Sequence, residues 1–233
     1  MSLYVILMGV QGAGKGLQAK LIEEHFGIPQ VSTGDLFRAM RARSDDLARK
    51  VQDIMASGKL VDDETTNAIV VDRLTQADAR NGVILDGYPR NQAQAAFLES
   101  HLAEKGARVN AVLLLELDLY TAFKRAFGRV TDADGGSYNY YYNADGVDFA
   151  WTNDDSDCFP PRLEASLRAD GSMLRRRPDD ASADAIIQRI DTYLDTTRAL
   201  ISHFESGGRV QKINADQRIE AVWTDIRQAL ESL

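Results

Sequence analysis

The stretch Leu3-Tyr4-Val5-Ile6-Leu7-Met8 runs without polar interruption straight into Gly9-Val10-Gln11-Gly12-Ala13-Gly14-Lys15-Gly16. An apolar run of that length suits a strand buried on both faces of a parallel sheet. The glycines that follow let the backbone take φ values other residues avoid and let it approach a ligand closely. Successive backbone N–H groups can then face one anion, and the helix that opens at Lys15 adds its positive dipole end and a full positive charge. Gly9 to Lys15 fits the spacing Gly-x-x-x-x-Gly-Lys of a phosphate-cradling loop. An ordinary glycine-rich turn is the alternative; the preceding strand and the lysine favour the cradle. Gly16 stands where the motif ordinarily has Ser or Thr to hold Mg²⁺. The ion must then be held mostly by phosphates, water and a carboxylate from elsewhere.

The rest of the chain alternates strand and helix signals, which predicts a parallel α/β sheet. Helical periodicity covers Gly16 to Phe26 and stops at Gly27; Ile28 to Val31 reads as short and extended. Ser32-Thr33-Gly34-Asp35 looks like a cap before a helix, Leu47 to Met55 is a further helix, and Asp62-Asp63 opens another that runs to Leu74. Val83-Ile84-Leu85-Asp86 is a brief strand ending in a carboxylate, with a turn at Gly87 to Arg90 and a helix from Gln92 to Glu104. Asn110 to Leu117 is a buried strand and Tyr120 to Phe127 a helix. From Gly128 to Pro178, Asp134-Gly135-Gly136 and Asp145-Gly146 bracket Ser137 to Tyr142, which reads as β-hairpins in an insertion of about 50 residues. Ala181 to Phe204 is one long helix, Val210 to Ile213 the last strand and Arg218 to Leu230 the closing helix.

With 233 residues the chain can form one domain with insertions. No apolar run is long enough for a membrane span, and the N-terminus enters the first strand with no signal peptide in view. Cys158 is the only cysteine, so no internal disulfide is possible, which suits the cytosol. The net charge of −8 argues against nucleic-acid or anionic-membrane binding. An acidic chain that binds polyphosphate must gather its positive charge locally.

Several residues carry that chemistry. Asp86, at the carboxyl end of a strand, can hold a Mg²⁺ water shell or act as a turn acid; its strand end and that of Lys15 are expected to converge. Arg38, Arg90, Arg129, Arg177 and Arg189 sit in or beside loop-to-helix segments. Guanidinium pairs well with phosphate, yet each alone also reads as a surface residue. Asp179 and Asp180 read as helix-capping acids or as partners for arginines or metal-bound water. Thr33 and Gln94 alone read as surface. The tyrosines from Tyr138 to Tyr142 read as a cross-strand packing set, with one positioned to lie over a base. A zinc site needs about four close Cys, His or Asp ligands. The insertion has Cys158 alone, while His25, His101 and His203 lie outside it, so no zinc is expected.

Taken in order, Gly9 to Gly16, Ser32 to Arg38, Gly58-Lys59-Leu60-Val61, Asp86 to Arg90 and Arg177-Pro178-Asp179-Asp180 resemble the adenylate kinase family along nearly the whole chain. The resemblance implies an α/β P-loop nucleoside monophosphate kinase fold: a parallel five-stranded sheet flanked by helices, with a small β-rich lid. Residues 1–31, 62–127 and 181–233 would form the core, 32–61 a monophosphate-binding insertion and 128–180 a long-form lid. By motif position, Thr33, Arg38, Lys59, Leu60, Val61, Gly87, Tyr88, Pro89, Arg90 and Gln94 would contact AMP, with Arg177 and Arg189 reaching across to it. Gly12, Ala13, Gly14, Lys15, Gly16, Leu17, Arg129, Ser137 and Tyr138 would contact ATP. Gln217 would join them through its backbone, where the family usually has lysine. Lys15, Arg38, Arg90, Arg129, Arg177 and Arg189 would be catalytic, and Asp86 would hold Mg²⁺ through water. Thr33 with Gln94 looks like the AMP-selecting pair, since relatives that prefer pyrimidine monophosphates tend to differ at the first.

The resemblance also has departures. Leu17 stands where threonine is usual, Gln11 replaces a loop proline and is expected to loosen the loop, and Ala199 replaces a helix proline. One extra residue separates Asp180 from Arg189. The implied reaction is Mg·ATP + AMP ⇌ 2 ADP in a cytoplasmic monomer. The alternatives are a UMP/CMP-type kinase, a P-loop ATPase or GTPase, and a non-catalytic nucleotide-binding module.

Overall fold

The computed structural model describes residues 2–40, 42–56, 61–152, 162–177, 180 and 182–233. These form two compact units: Met1–Gly9, Gly14–Glu116 and Asp195–Leu233 make the first, and Val10–Ala13 with Leu117–Leu194 the second.

The first unit is built on a five-stranded sheet of β1 (Leu3–Gly9), β2 (Gln30–Ser32), β3 (Gly82–Asp86), β4 (Val109–Glu116) and β9 (Val210–Asn214). Their order is β2-β3-β1-β4-β9, and every neighbouring pair is parallel. Val5, Val83, Ile84, Leu85, Val112 and Leu113 are wholly or almost wholly buried, as strands covered on both faces require. The chain leaves β1 for strands on one side and returns for β4 and β9 on the other. That makes the end of β1 a topological switch point, where open α/β sheets bind ligands.

The helices of this unit are α1 (Lys15–Phe26), α2 (Thr33–Met40), α3 (Asp46–Ala56), α4 (Asp63–Leu74), α5 (Gln92–Glu104) and α8 (Ile219–Glu231). Local chemistry sets their ends. Asp62 caps α4 by accepting from the Thr65 N–H at 2.7 Å, and Asn91 caps α5 by accepting from Gln94 at 2.9 Å. Gly27 ends α1 in the left-handed region, as the sequence predicts.

The second unit contains α6 (Leu119–Phe127), the strands β5 (Arg129–Thr131), β6 (Ser137–Asn139), β7 (Val147–Thr152) and β8 (Arg162–Leu167), and the first part of α7 (Ala183–Glu205). β5 pairs antiparallel with β6, and β7 with β8. Their shared core is small: Val130, Val147, Leu163, Ala165 and Leu174, with Tyr138, Phe149, Trp151 and Leu167 partly buried against it. Asp132 braces the β5–β6 turn. Its Oδ1 accepts from the Gly136 and Asp134 N–H groups at 2.6 and 3.0 Å, and its Oδ2 from the Tyr138 hydroxyl at 3.3 Å.

Three expectations change. The hairpin reading of Ser137 to Tyr142 holds only for its first residues: β6 pairs with β5 and ends at Asn139, and Asn139 and Asn143 exchange backbone hydrogen bonds around a turn. The Asn139 Oδ1 accepts from the Tyr141 N–H, the local bond by which asparagine favours turns over strands. Asp145-Gly146 leads into β7 and closes no hairpin, because β7 pairs with β8. The cap of α7 is Ser182, whose Oγ accepts from the Ala185 N–H at 3.1 Å, so Asp180 has another task.

Candidate active site

In the first unit, chemistry gathers where β1, β2 and β3 end. Register sets Asp86 opposite Leu7 of β1 and Ser32 of β2. Lys15 opens α1, and its ammonium donates to the Gly9 carbonyl at 2.7 Å. Whereas α4 and α5 are capped by side chains, α1 begins from Gly14 with no side-chain cap and no acid in its first turn. Its first N–H groups lack intrahelical acceptors and its positive dipole end is not offset by a carboxylate. Burial pushes the Asp86 carboxyl above its ordinary value; the Lys15 charge, a hydrogen bond from Gln30 and the Arg90 charge oppose this, while the Asp35 charge adds to it. The Gln30 amide donates to Asp86 at 3.1 Å. Lys15 and Asp86 therefore face one another electrostatically, the convergence expected from the sequence.

Two loop glycines have different jobs. Gly14 (φ +89) has open space around the position of a Cβ, so its backbone is reachable by a ligand. Gly12 (φ +88) is packed in the second unit, where a Cβ would lie 2.6 Å from the Ala122 carbonyl oxygen. Leu17 is 44% exposed in the first turn of α1 and presents no hydroxyl.

Beside Asp86, the turn Gly87 to Arg90 is tied down by neighbours. The Thr33 hydroxyl donates to the Gly87 carbonyl at 3.0 Å, and the Arg90 Nε donates to the same oxygen at 2.8 Å. Gln94 Oε1 accepts from the Arg90 N–H at 2.8 Å, and its Nε2 donates to Asp63 at 2.7 Å. Thr33 and Gln94 are 2% and 4% exposed, which corrects the surface reading: a short polar side chain with non-local partners leaves no periodic trace in a sequence. Tyr88 is buried and donates to Asn67 at 2.6 Å; burial raises its hydroxyl pKa. Val61 packs against the cluster of Met40, Ala48, Val51 and Ile69. Gln217 follows β9 and donates to Asp225 at 2.6 Å. Asp63, which holds both Gln94 and Asn91, goes unremarked in the sequence beyond its helix-opening role.

In the second unit a separate cluster forms on Asp180, which is fully buried. Its Oδ2 accepts from the Arg129 Nε at 2.9 Å and from the Nη2 of the same residue. Its Oδ1 accepts from the Gln11 Nε2 at 2.7 Å and the Arg189 Nη1 at 3.3 Å. Of the sequence readings for Asp180, the arginine-holding one fits this geometry. The Gln11 side chain is thus anchored to Asp180. Arg177 is exposed and its carbonyl accepts from the Asp180 N–H. Ser137 is exposed and Tyr138 half-buried in β6. Lys59, Leu60, Cys158, Pro178 and Asp179 lie outside the described residues, as does the side chain of Arg38.

Comparison with known proteins agrees with this pattern. The family model described as adenylate kinase matches residues 7–209. A protein of Listeria innocua serovar 6a named adenylate kinase is 36% identical over 229 residues, covering 98% of this chain and 99% of its own. An adenylate kinase of Syntrophomonas wolfei is 36% identical over 230 residues, with 98% and 99% covered. One of Clostridioides difficile strain 630 is 36% identical over 229 residues, with 98% of each covered. With the phosphate-loop geometry at the end of β1 and a match along nearly its full length, the chain belongs to the adenylate kinase family.

Proposed function

We infer that the chain is a phosphotransferase that moves the γ-phosphoryl group of Mg·ATP to AMP, giving two ADP. One observation carries this: an uncapped helix start whose Lys15 charge acts on the half-buried Asp86, in a chain similar to adenylate kinases over almost all of its residues. The reaction needs little covalent help; it needs two nucleotides in line and charge to stabilise the phosphoryl group in transit. Gly12 to Leu17 hold the ATP phosphates through backbone N–H groups and the Lys15 ammonium. Thr33, Val61, Gly87 to Arg90 and Gln94 hold AMP, with Arg90 and Arg38 on its phosphate and Lys59 and Leu60 beside it. The bonds that fix Arg90 and Gln94 to one another support this, because they set both before a ligand arrives. Arg129, Arg177 and Arg189 stabilise the transferring group. Ser137, Tyr138 and the backbone of Gln217 complete the ATP contacts.

Mg²⁺ fits the residues present. A carboxylate oxygen suits this hard cation, and Asp86 is the residue that would hold its water shell. Bound there with ATP, the ion would supply positive charge to offset that of the phosphates. Leu17 offers it no hydroxyl, so phosphates and water provide most of its ligands. We further propose that segments 32–61 and 128–180 act as two closing insertions. Water competes with AMP as the acceptor, and closure with both substrates bound excludes it.

The test is ADP formation from ATP plus AMP in a coupled assay. ADP made only when AMP is present supports the reading. Hydrolysis of ATP without AMP favours an ATPase, a preference for UMP or CMP favours a pyrimidine monophosphate kinase, and binding without turnover favours a non-catalytic module.

A further inference from the structure

We propose that Gln11 is a positioning residue whose side-chain amide fixes the Asp180 carboxylate and, through it, the aim of Arg129 and Arg189. The inference rests on the kinase reading above and adds a residue that reading does not use.

The argument is an acceptor count. An ionised carboxylate offers about four lone-pair sites. On Asp180 these are filled by two donors from Arg129, one from Arg189 and one from Gln11. The Gln11 bond, at 2.7 Å, is shorter than the 3.3 Å contact from Arg189 to the same oxygen. Without it, Oδ1 keeps only that longer contact among the hydrogen bonds of the described residues. Arg129 keeps two bonds to Oδ2, so the loss bears first on the oxygen that Arg189 meets. The amide orientation follows from chemistry: a carboxylate only accepts, so the NH₂ end must face it.

Gln11 is 8% exposed, and its Oε1 is buried with no hydrogen-bond partner among the described residues. Burying an unpartnered carbonyl is unfavourable, a cost that an apolar residue would avoid. Packing alone therefore does not account for the amide; the bond to Asp180 does. A proline here would have no donor to make it. Arg176, from the same unit, adds a further charge that acts on Asp180. Gln11 lies between Gly9 and Gly14 in the phosphate loop, so the loop and the arginine pair are held by one side chain.

The experiment measures kcat and both KM values for the wild type and for Gln11→Met, which keeps the length and loses the donor. The expected result is a kcat about tenfold lower with each KM within about twofold, because aim matters in the transition state more than in binding. The same substitution in an Asp180→Asn background should cost under about twofold, since its route is gone. If Asp180→Asn does not fold, Arg189→Lys serves as the background, and the cost should shrink at least about threefold. If Gln11→Met does not fold, Gln11→Pro replaces it with the same expected split. An unchanged kcat, a loss carried by KM, or a tenfold loss that persists undiminished in the double variant overturns the proposal. A wild type that makes no ADP from ATP and AMP overturns the kinase reading and this inference with it; an active wild type with an unaffected Gln11 variant overturns this inference alone.

Discussion

The two units hold their charged groups by different means. In the first, strands buried on both faces form a rigid base, and strand ends place the site residues: Ser32 closes β2, Asp86 closes β3 and Lys15 follows β1. In the second, two-stranded ribbons enclose a core of few residues, and polar bonds do much of the holding: Asp132 in a turn and Asp180 on its arginines. A two-stranded ribbon is marginal alone, so its stability comes from such additions. The difference teaches that a parallel sheet sets its site residues by strand register, whereas ribbons with a small core lean more on paired charges to hold theirs in place.

Charge removal should separate the units most sharply. Lys15→Ala and Arg129→Ala should each lower turnover by on the order of 10³-fold. Arg129→Ala leaves the fully buried Asp180 carboxylate short of its main partner, whereas Lys15→Ala takes a charge from the half-buried Asp86, so the first should cost the more stability, about 3–5 kcal/mol, read by denaturant melts. Equal stability of the two variants would break the comparison.

Core truncation should come next. Leu113→Ala, at a fully buried position of β4, should cost about 3–5 kcal/mol, and Leu163→Ala, in the ribbon core, about 2 kcal/mol. Global unfolding should follow the first, while hydrogen exchange should show the second confined to the ribbons.

A smaller effect attends Asp86. Its folded pKa is raised, chiefly by burial, above the ordinary aspartate value. Its contribution to stability is thus fully present below that value and is lost as pH rises through the folded pKa. At pH 7 the ionised side chain opposes folding, so Asp86→Asn should melt at the same temperature or about 2–4 °C higher while losing activity. The gap between wild type and variant should narrow towards pH 4; a variant that melts lower at pH 7 would contradict this. Smallest of all, an insertion with one cysteine and no histidine is expected to hold no zinc, so a chelator should shift the melting point of nucleotide-free protein by less than about 1 °C; a larger shift would overturn that expectation.

Much of the first unit is legible in the chain itself. Apolar runs reveal β1, β3 and β4, the acids and amides before α4 and α5 announce their caps, and the glycine spacing reveals the loop. These signals are local and repeat with a period. The ribbons are harder to read. Asn139 turns the chain where tyrosines suggest a strand, and β7 takes a partner across the insertion in place of β6. The hardest features are single bonds between distant residues. Gln11 and Asp180 are 169 positions apart, and Thr33 and Gly87 are 54 apart. Neither residue type nor spacing encodes such a bond, so Gln11 reads as a blemish in the loop and Thr33 as surface until the fold brings their partners in.

The bare start of α1 has a practical consequence for handling the protein. Anything that binds the folded state alone raises its melting point by mass action, and an uncapped helix end attracts small oxyanions as well as nucleotides. Inorganic phosphate or sulfate in a storage buffer will therefore lift the baseline of a thermal-shift titration before the first nucleotide is added. Melts in chloride buffers, with phosphate supplied as a titrant in its own right, give the cleaner zero.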